Sequence, residues 1–580
     1  MHPSRFVSSF LAPNNALGFG VVDFVELILL GLLTTLMHLR ARLERFARLL
    51  ARRTTLCFLI AAGLPIALRL ALLPHHPVPS PDVYDEFGHL FVADTLRHFR
   101  LANPPHALHQ FFETFFVLQE PTYSSIYPLG QGLVLALGWT LFGLPWAGVV
   151  LSVAAFCALC YWMLLGWTTR TWALVGALLT VIEFGPLSEW MNSYWGGAVS
   201  AMAGCLVFGA LPRLRERARM RDAALLGAGL GIQLLTRPYE FIPLVLSVAA
   251  FFALLIFRER TSWRRLARAA PVALLAVLPA VALTLLQNKQ VTGSWTTLPY
   301  FVSQYQYGVP TTLTIQPNPV PHLPLTREQE MDYRAQRSYH GEGPETLAKF
   351  FARLEYRIRY YRFFFLPPLY LAMGIFLVTI RKWTFAWMAG TLALFALGSN
   401  LFPYLYPRYI AAVACLFVLA SVTGLRKLSN SHIRSSAAGH YATLLILFVC
   451  VAGFCLWYGA HLFEDHDLPD SIERYETWDA INHGNPAARI FVNRELARLP
   501  GKLLVFVRYW PNHIFRDEWV YNAADIDGAR VVWARDLGTA ENEKLRRYYL
   551  NRAVWLLEPD AQPPKLSRYD ATTATFRDVQ

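Results

Sequence analysis

The sequence predicts a mainly α fold, a polytopic transmembrane helical bundle of about 11 to 12 spans, with a soluble α/β domain at its C-terminal end. Three observations predict it. The 580 residues are 54% hydrophobic and only 16% charged, with a mean hydropathy of +0.31, whereas soluble chains carry about a quarter charged residues. The apolar residues gather into blocks of roughly 17 to 22, long enough to cross the hydrocarbon core as helix. Six short connections between blocks hold 22 Lys and Arg, in the segments 40–53, 170, 213–221, 258–268, 381–382 and 426–434, and the positive-inside tendency places all six on one side. A water-soluble enzyme is excluded. The net charge of +13 reports topology, so no nucleic-acid partner is expected.

Residues 1–53 read as an N-terminal helix near 21–37, bearing Asp23 and Glu26, followed by a basic cytoplasmic segment; no cleavable secretory signal is expected. Residues 54–460 form the transmembrane module, with spans near 54–73, 146–166, 172–187, 197–212, 222–236, 239–257, 270–286, 363–380, 383–400, 408–425 and 440–460. A further apolar stretch, Tyr127 to Gly143, is read as a helix lying at or dipping into the surface, because letting it cross would set the clusters at Arg213 and Arg258 opposite the one at Arg40. The non-cytoplasmic side then receives loops 74–145 and 287–362, the connections 188–196, 237–238 and 401–407, and the tail 461–580. In the tail the runs Leu503–Val507, Val531–Ala534 and Ala553–Leu557 read as strands, and Asn485-Pro486 as the cap and first residue of a helix that stops before Gly501. All seven cysteines lie in apolar blocks, which leaves no disulfide framework or zinc site. No non-cytoplasmic segment contains an Asn-x-Ser/Thr sequon, which favours a bacterial inner membrane.

Ionisable groups at membrane depth are costly and mark sites. The densest set opens the first loop, Pro-Asp-Val-Tyr-Asp-Glu-Phe-Gly-His at 81–89. Asp85 and Glu86 point about 100° apart on a helix, so they take different tasks, whereas Asp85 and His89 share a face that can touch a substrate or a divalent cation. Acids at a helix start also suit the macrodipole with no further role. The connection 188–197 offers Glu189, Asn192, Tyr194 and Trp195, the last two equally suited to an aromatic interface belt. Arg237 and Arg408, the latter followed by Tyr409, stand where spans meet the non-cytoplasmic side. Such arginines suit a lipid phosphate or, alternatively, snorkelling. Arg353, Arg357, Arg359 and Arg362 are expected to form a basic surface against headgroups.

An Asp-Glu pair after an early span, a helix, and then Glu120-Pro-Thr-Tyr-Ser-Ser-Ile-Tyr-Pro-Leu-Gly130 ahead of a surface helix resembles the GT-C superfamily of polyprenyl-phosphate-sugar-dependent glycosyltransferases. The chain is most similar to the protein mannosyltransferase and aminoarabinose transferase branch, in layout over roughly residues 54–425. The resemblance implies that Asp85 is the general base and that Glu86 supports the site or a cation. Arg408-Tyr409 resembles the family's Arg-Tyr near the start of a late span, and Asn288 with Thr292-Gly293 resembles a recurrent Asn…Thr-Gly element. Glu189 departs in spacing from the family's further acid. The expected reaction is inverting transfer of a sugar from a polyprenyl-phosphate carrier to an acceptor glycan, lipid or protein on the non-cytoplasmic face, with membrane lipids as surroundings. A lipid-linked-sugar flippase is the alternative, and a membrane-anchored binding protein working through its tail is a third reading.

Overall fold

The structure is a computed structural model that describes Asp23, Glu26 and residues 40–259, 263–431, 437–463 and 486–570. The expected span 21–37 lies outside the described residues except for Asp23 and Glu26, and so does Asn485. The apolar blocks are helices, several of them ending just before a glycine or proline, as at Gly143, Gly185 and Pro238. In chain order they are α1 Arg40–Ala51, α2 Thr54–Ala71, α3 Tyr84–Arg97, α4 Leu129–Phe142, α5 Pro145–Leu164, α6 Arg170–Phe184, α7 Glu189–Asn192, α8 Ala198–Arg217, α9 Met220–Thr236, α10 Pro238–Glu259, α11 Trp263–Thr292, α12 Pro299–Tyr307, α13 Arg327–His340, α14 Leu347–Arg357, α15 Leu369–Leu377, α16 Trp383–Ser399, α17 Ala414–Ser429 and α18 Ala438–Phe463.

Among the described residues seven helices are long and apolar enough to cross a membrane, or eight if the bent pair around residue 366 is counted as one. Three further expected spans are shorter: α6 has 15 residues, ending ahead of Gly185-Pro186, α9 has 17, ending ahead of Arg237-Pro238, and α16 has 17. The span expected over 363–380 starts later, at Leu369, because Ile358–Phe364 winds as a tighter 3-10 turn. At 14 residues, α4 is about 21 Å long, short of the ~30 Å hydrocarbon thickness. It lies directly on α5, where a Cβ on Gly138 would stand 2.2 Å from the Gly148 nitrogen, so the backbones meet with no side chain between them.

The basic connections gather at one pole, where Glu44 meets His440 at 2.8 Å, Arg215 meets Glu259 at 2.5 Å and Arg426 donates to Thr168 at 3.5 Å. The two long loops and the tail meet at the other. The first loop carries a short antiparallel pair, β1 Val117–Leu118 and β2 Ser124–Ser125, and beyond α19 Ala487–Arg498 the tail holds β3 Leu503–Val507, β4 Val531–Arg535, α20 Thr539–Tyr548, β5 Ala553–Glu558 and β6 Lys565–Arg568. Strand β3 is central, parallel to β4 and β5, with β6 antiparallel at the edge of β5. Pro486 is the cap and α19 starts at Ala487, one residue later than the expected Asn485-Pro486 start. The tail shares its core with the first loop, Phe91, Phe111 and Phe112 packing with Leu504, Phe506 and Val532. Asp94 of α3 accepts the Ala524 N–H at 2.8 Å. Arg535 donates to the Glu113 carbonyl at 2.6 Å and pairs with Glu328 of α13 and with Glu518. This packing places the start of α3 under a roof built from three distant stretches of chain.

Candidate active site

The start of α3 is fixed by one of its own acids. Glu86 is buried and accepts the N–H groups of Asp82 at 2.8 Å and Val83 at 3.3 Å with one oxygen, which satisfies otherwise orphan helix-start donors. Its other oxygen accepts the Tyr194 N–H at 2.8 Å, clasping the first loop to the connection 188–196. Burial pushes its carboxyl up to about 7. The Tyr194 hydroxyl donates to the Pro79 carbonyl at 2.8 Å. Asn192 accepts from Arg69 at 2.7 Å and donates to the carbonyls of Pro186 and Ser188. Glu86, Asn192 and Tyr194 thus spend their polar atoms on protein groups and form the floor beneath the site.

Asp85, one residue earlier in α3, faces a different direction, as the 100° step requires. It accepts a hydrogen bond from the Tyr127 hydroxyl. Burial raises its pKa above the ordinary carboxylate value, while the Tyr127 hydrogen bond and then the charges of Arg408 and Arg237 pull it back. Tyr127 can lie across α3 because residue 88 is glycine, where a Cβ would stand 2.6 Å from the tyrosine ring. From behind, Gln287 of α11 donates to the Tyr127 carbonyl at 2.9 Å. His89, on the Asp85 face, is buried with its ring 4.2 Å from the Tyr127 ring, and neither ring nitrogen has a hydrogen-bond partner among the described residues. Burial, then the charges of Arg237 and Arg408, push its pKa well below the ordinary value.

The arginines arrive from the ends of two helices. Arg408, in the tight turn Pro407–Val413 ahead of α17, is 2% exposed; its guanidinium pairs with Glu189 at 2.9 Å and lies 3.0 Å from the Trp195 ring centre and 4.6 Å from that of Tyr406. Its Nε is buried with no partner among the described residues. Arg237, at the end of α9, stacks 4.7 Å from the Tyr409 ring and makes no ion pair or side-chain hydrogen bond among the described residues. Of the residues singled out from sequence, Asp85, His89, Glu189, Trp195, Arg237, Arg408 and Tyr409 therefore meet in one place. Asn288 stands aside: its amide donates to the Trp295 carbonyl at 3.1 Å in the turn that closes α11.

Sequence reasoning missed two groups at the rim. Asp332 of α13 is 2% exposed, accepts from Gln336 at 2.7 Å through one oxygen, and is pushed up to about 7 by burial, with the charge of Asp85 adding to the rise. Arg516 comes from the tail and interacts with Tyr84, Tyr339 and Tyr406. Neither carries a local signal, since Asp332 is one acid in a polar helix and Arg516 one arginine of an exposed loop. Tyr127 lies inside the quoted segment 120–130, so its position was legible but its bond to Asp85 was not.

Three of the four arginines expected to face headgroups turn inward, while Arg359 stays at the surface on its own turn, donating to the Tyr356 carbonyl. Arg357 is 3% exposed and donates to the carbonyls of Ser399, Phe402 and Pro403, Arg353 pairs with Glu345, and Arg362 is buried against Asp23. Carbonyls at the end of α16 need donors, and a guanidinium supplies several at once. A metal fits poorly. Among the described residues no three His, Cys, Asp or Glu side chains converge to hold one, and Tyr127 stands between Asp85 and His89.

No family model matches the chain, and no curated protein matches it. Solved structures similar to it include ArnT from Cupriavidus metallidurans in the apo state, at 12% identity and TM-score 0.46, covering 86% of this chain and 92% of that one. The same protein bound to undecaprenyl phosphate matches at 13% identity and TM-score 0.45 over the same shares. The archaeal oligosaccharyltransferase AglB from Archaeoglobus fulgidus, in complex with an inhibitory peptide and a dolichol-phosphate, matches at 11% identity and TM-score 0.41, covering 87% of this chain and 69% of that one.

Proposed function

We propose that the chain is an integral-membrane, inverting glycosyltransferase that moves a sugar from a polyprenyl-phosphate carrier to an acceptor on the non-cytoplasmic face, in a bacterial inner membrane. One observation carries the reading: a half-buried carboxylate oriented by a tyrosine stands beside two arginines whose guanidinium groups keep unspent donors. In the reaction an acceptor hydroxyl attacks the anomeric carbon and its proton passes to the Asp85 carboxylate, while the bond from that carbon to the phosphate oxygen breaks and the electrons leave with the phosphate. Arg237 and Arg408 neutralise the departing charge in a site where water is scarce. Glu189 holds Arg408 in place, and Trp195 and Tyr409 give the two cations flat faces to rest on.

The test is the purified protein in detergent with a panel of polyprenyl-phosphate sugars and acceptors, scoring release of polyprenyl phosphate. Release from one donor supports the reading, and no release from any donor overturns it. Movement of an intact lipid-linked sugar between vesicle leaflets, with no release, assigns the chain to transport.

Two variants probe the roles. Arg408→Lys keeps the charge and loses the planar fork, so apparent affinity for the donor should fall about tenfold, the worth of one charge-assisted hydrogen bond; a snorkelling arginine would tolerate the change. Tyr127→Phe removes a donor that favours the ionised form of Asp85, so the Asp85 pKa rises further. Activity that needs the carboxylate then begins at higher pH, and the acid limb of the kcat/KM profile should move up. An unmoved limb would separate Tyr127 from the titrating group.

A further inference from the structure

Along α14 and the residue that caps it, Leu347, Phe351, Leu354 and Ile358 recur at helical spacing and fall on one stripe. Leu347 is 77% exposed, Phe351 59% and Ile358 45%. The opposite arrangement is normal for an amphipathic helix on a soluble surface, which turns its apolar stripe to the core. Here the inward edge carries the cations. Arg353 donates to the Asn400 carbonyl at 2.8 Å, Arg357 to those of Ser399, Phe402 and Pro403, and the Phe350 carbonyl accepts from Asn400 at 2.9 Å. The helical stretch Leu347–Phe364 meets the 9-residue α15 at a bend of 115°, so with α15 dipping along the membrane normal α14 lies closer to the membrane plane than to that normal. The exposed stripe continues into α15, where Leu371 and Leu377 are exposed too.

We propose that α14 lies in the plane of the bilayer interface at the pole of the tail, with Leu347, Phe351, Leu354 and Ile358 in the acyl boundary, and that Arg353 and Arg357 tie this seat to the Ser399–Pro403 turn. The occupant of the stripe is lipid. An apolar edge beside a membrane-embedded helix gains free energy from burial among acyl chains, whereas a stripe this long facing water is unusual for a soluble surface. The turn it braces leads directly into Tyr404, Tyr406 and Arg408, so the bilayer sets the height at which the phosphate-facing arginine stands. The seat itself is independent of the reaction proposed above.

The test uses the full chain in vesicles of phosphatidylethanolamine and phosphatidylglycerol, with Cys455, the exposed native cysteine, replaced by serine. A bimane on Phe351→Cys, or on Leu347→Cys where the first fails to fold, should be quenched by lipids brominated near the headgroup end of the chain and protected from aqueous iodide. The same label on Lys349→Cys, an exposed position on the other side of α14, should show the reverse. Iodide quenching at 347 or 351 overturns the proposal, and so does protection from both quenchers, which would mean that a second copy or another protein covers the stripe. The tie is read by hydrogen exchange. In the variant carrying Leu347→Glu and Phe351→Glu, amides of the segment 399–406 should exchange faster in vesicles than in the parent chain, and an unchanged rate would sever the seat from the site.

Discussion

Replacing Asp85 by asparagine should abolish transfer while leaving the protein folded and inserted, a loss of about 10²- to 10⁴-fold in turnover, the contribution of a positioned base. The amide keeps the shape and can still meet the Tyr127 hydroxyl, but it cannot take the acceptor's proton. The neighbouring acids make the result specific. Glu86→Gln should hurt turnover less and lower the melting temperature, because an amide cannot accept the N–H groups of Asp82, Val83 and Tyr194 with both ends of its side chain. Glu189→Gln should act as a weaker form of Arg408→Lys, through the lost pair at 2.9 Å. Near-normal turnover in Asp85→Asn would remove this residue from the base role, and a larger loss in Asp332→Asn would move the base to the second loop. The measurement is single-turnover release of polyprenyl phosphate across the four variants.

The second large effect is on stability. Arg535→Leu should cost about 3–5 kcal/mol, since it leaves the buried carboxylates of Glu328 and Glu518 without the cation between them. Arg535 is where the tail, the first loop and the second loop are joined, and the Glu113 carbonyl loses its donor as well. The expected readout is a lower melting temperature in detergent, together with proteolytic nicking at the junction of tail and loops. An unchanged melting temperature would mean that the shared apolar core of Phe91, Phe111, Phe112, Leu504 and Phe506 holds the tail by itself. The same experiment bears on the reading in which the tail alone does the work. A tail whose core is partly made by residues of the first loop depends on the membrane module for its own packing.

What the sequence determined by itself is what hydropathy writes locally. Helical blocks follow from runs of apolar residues, and strands β3, β4 and β5 lie within a residue of the apolar runs that suggested them. Asp85, Arg237 and Arg408 were legible because a charge at the end of an apolar block is conspicuous against its surroundings. Tertiary structure alone decided which polar atoms are already spent. Glu86 and Asn192 look as reactive in the sequence as Asp85, yet their partners stand 108 and 123 residues away, the Tyr194 N–H and the Arg69 guanidinium of α2. Arg357 looks like a headgroup ligand and instead caps the carbonyls that close α16. Asp332 and Arg516 gave no sign at all, because their place at the site depends on the second loop and the tail folding over the start of α3. A hydrogen bond between distant segments leaves no periodicity in either of them, whereas burial against lipid or core repeats with every turn and can be read from one strand of sequence.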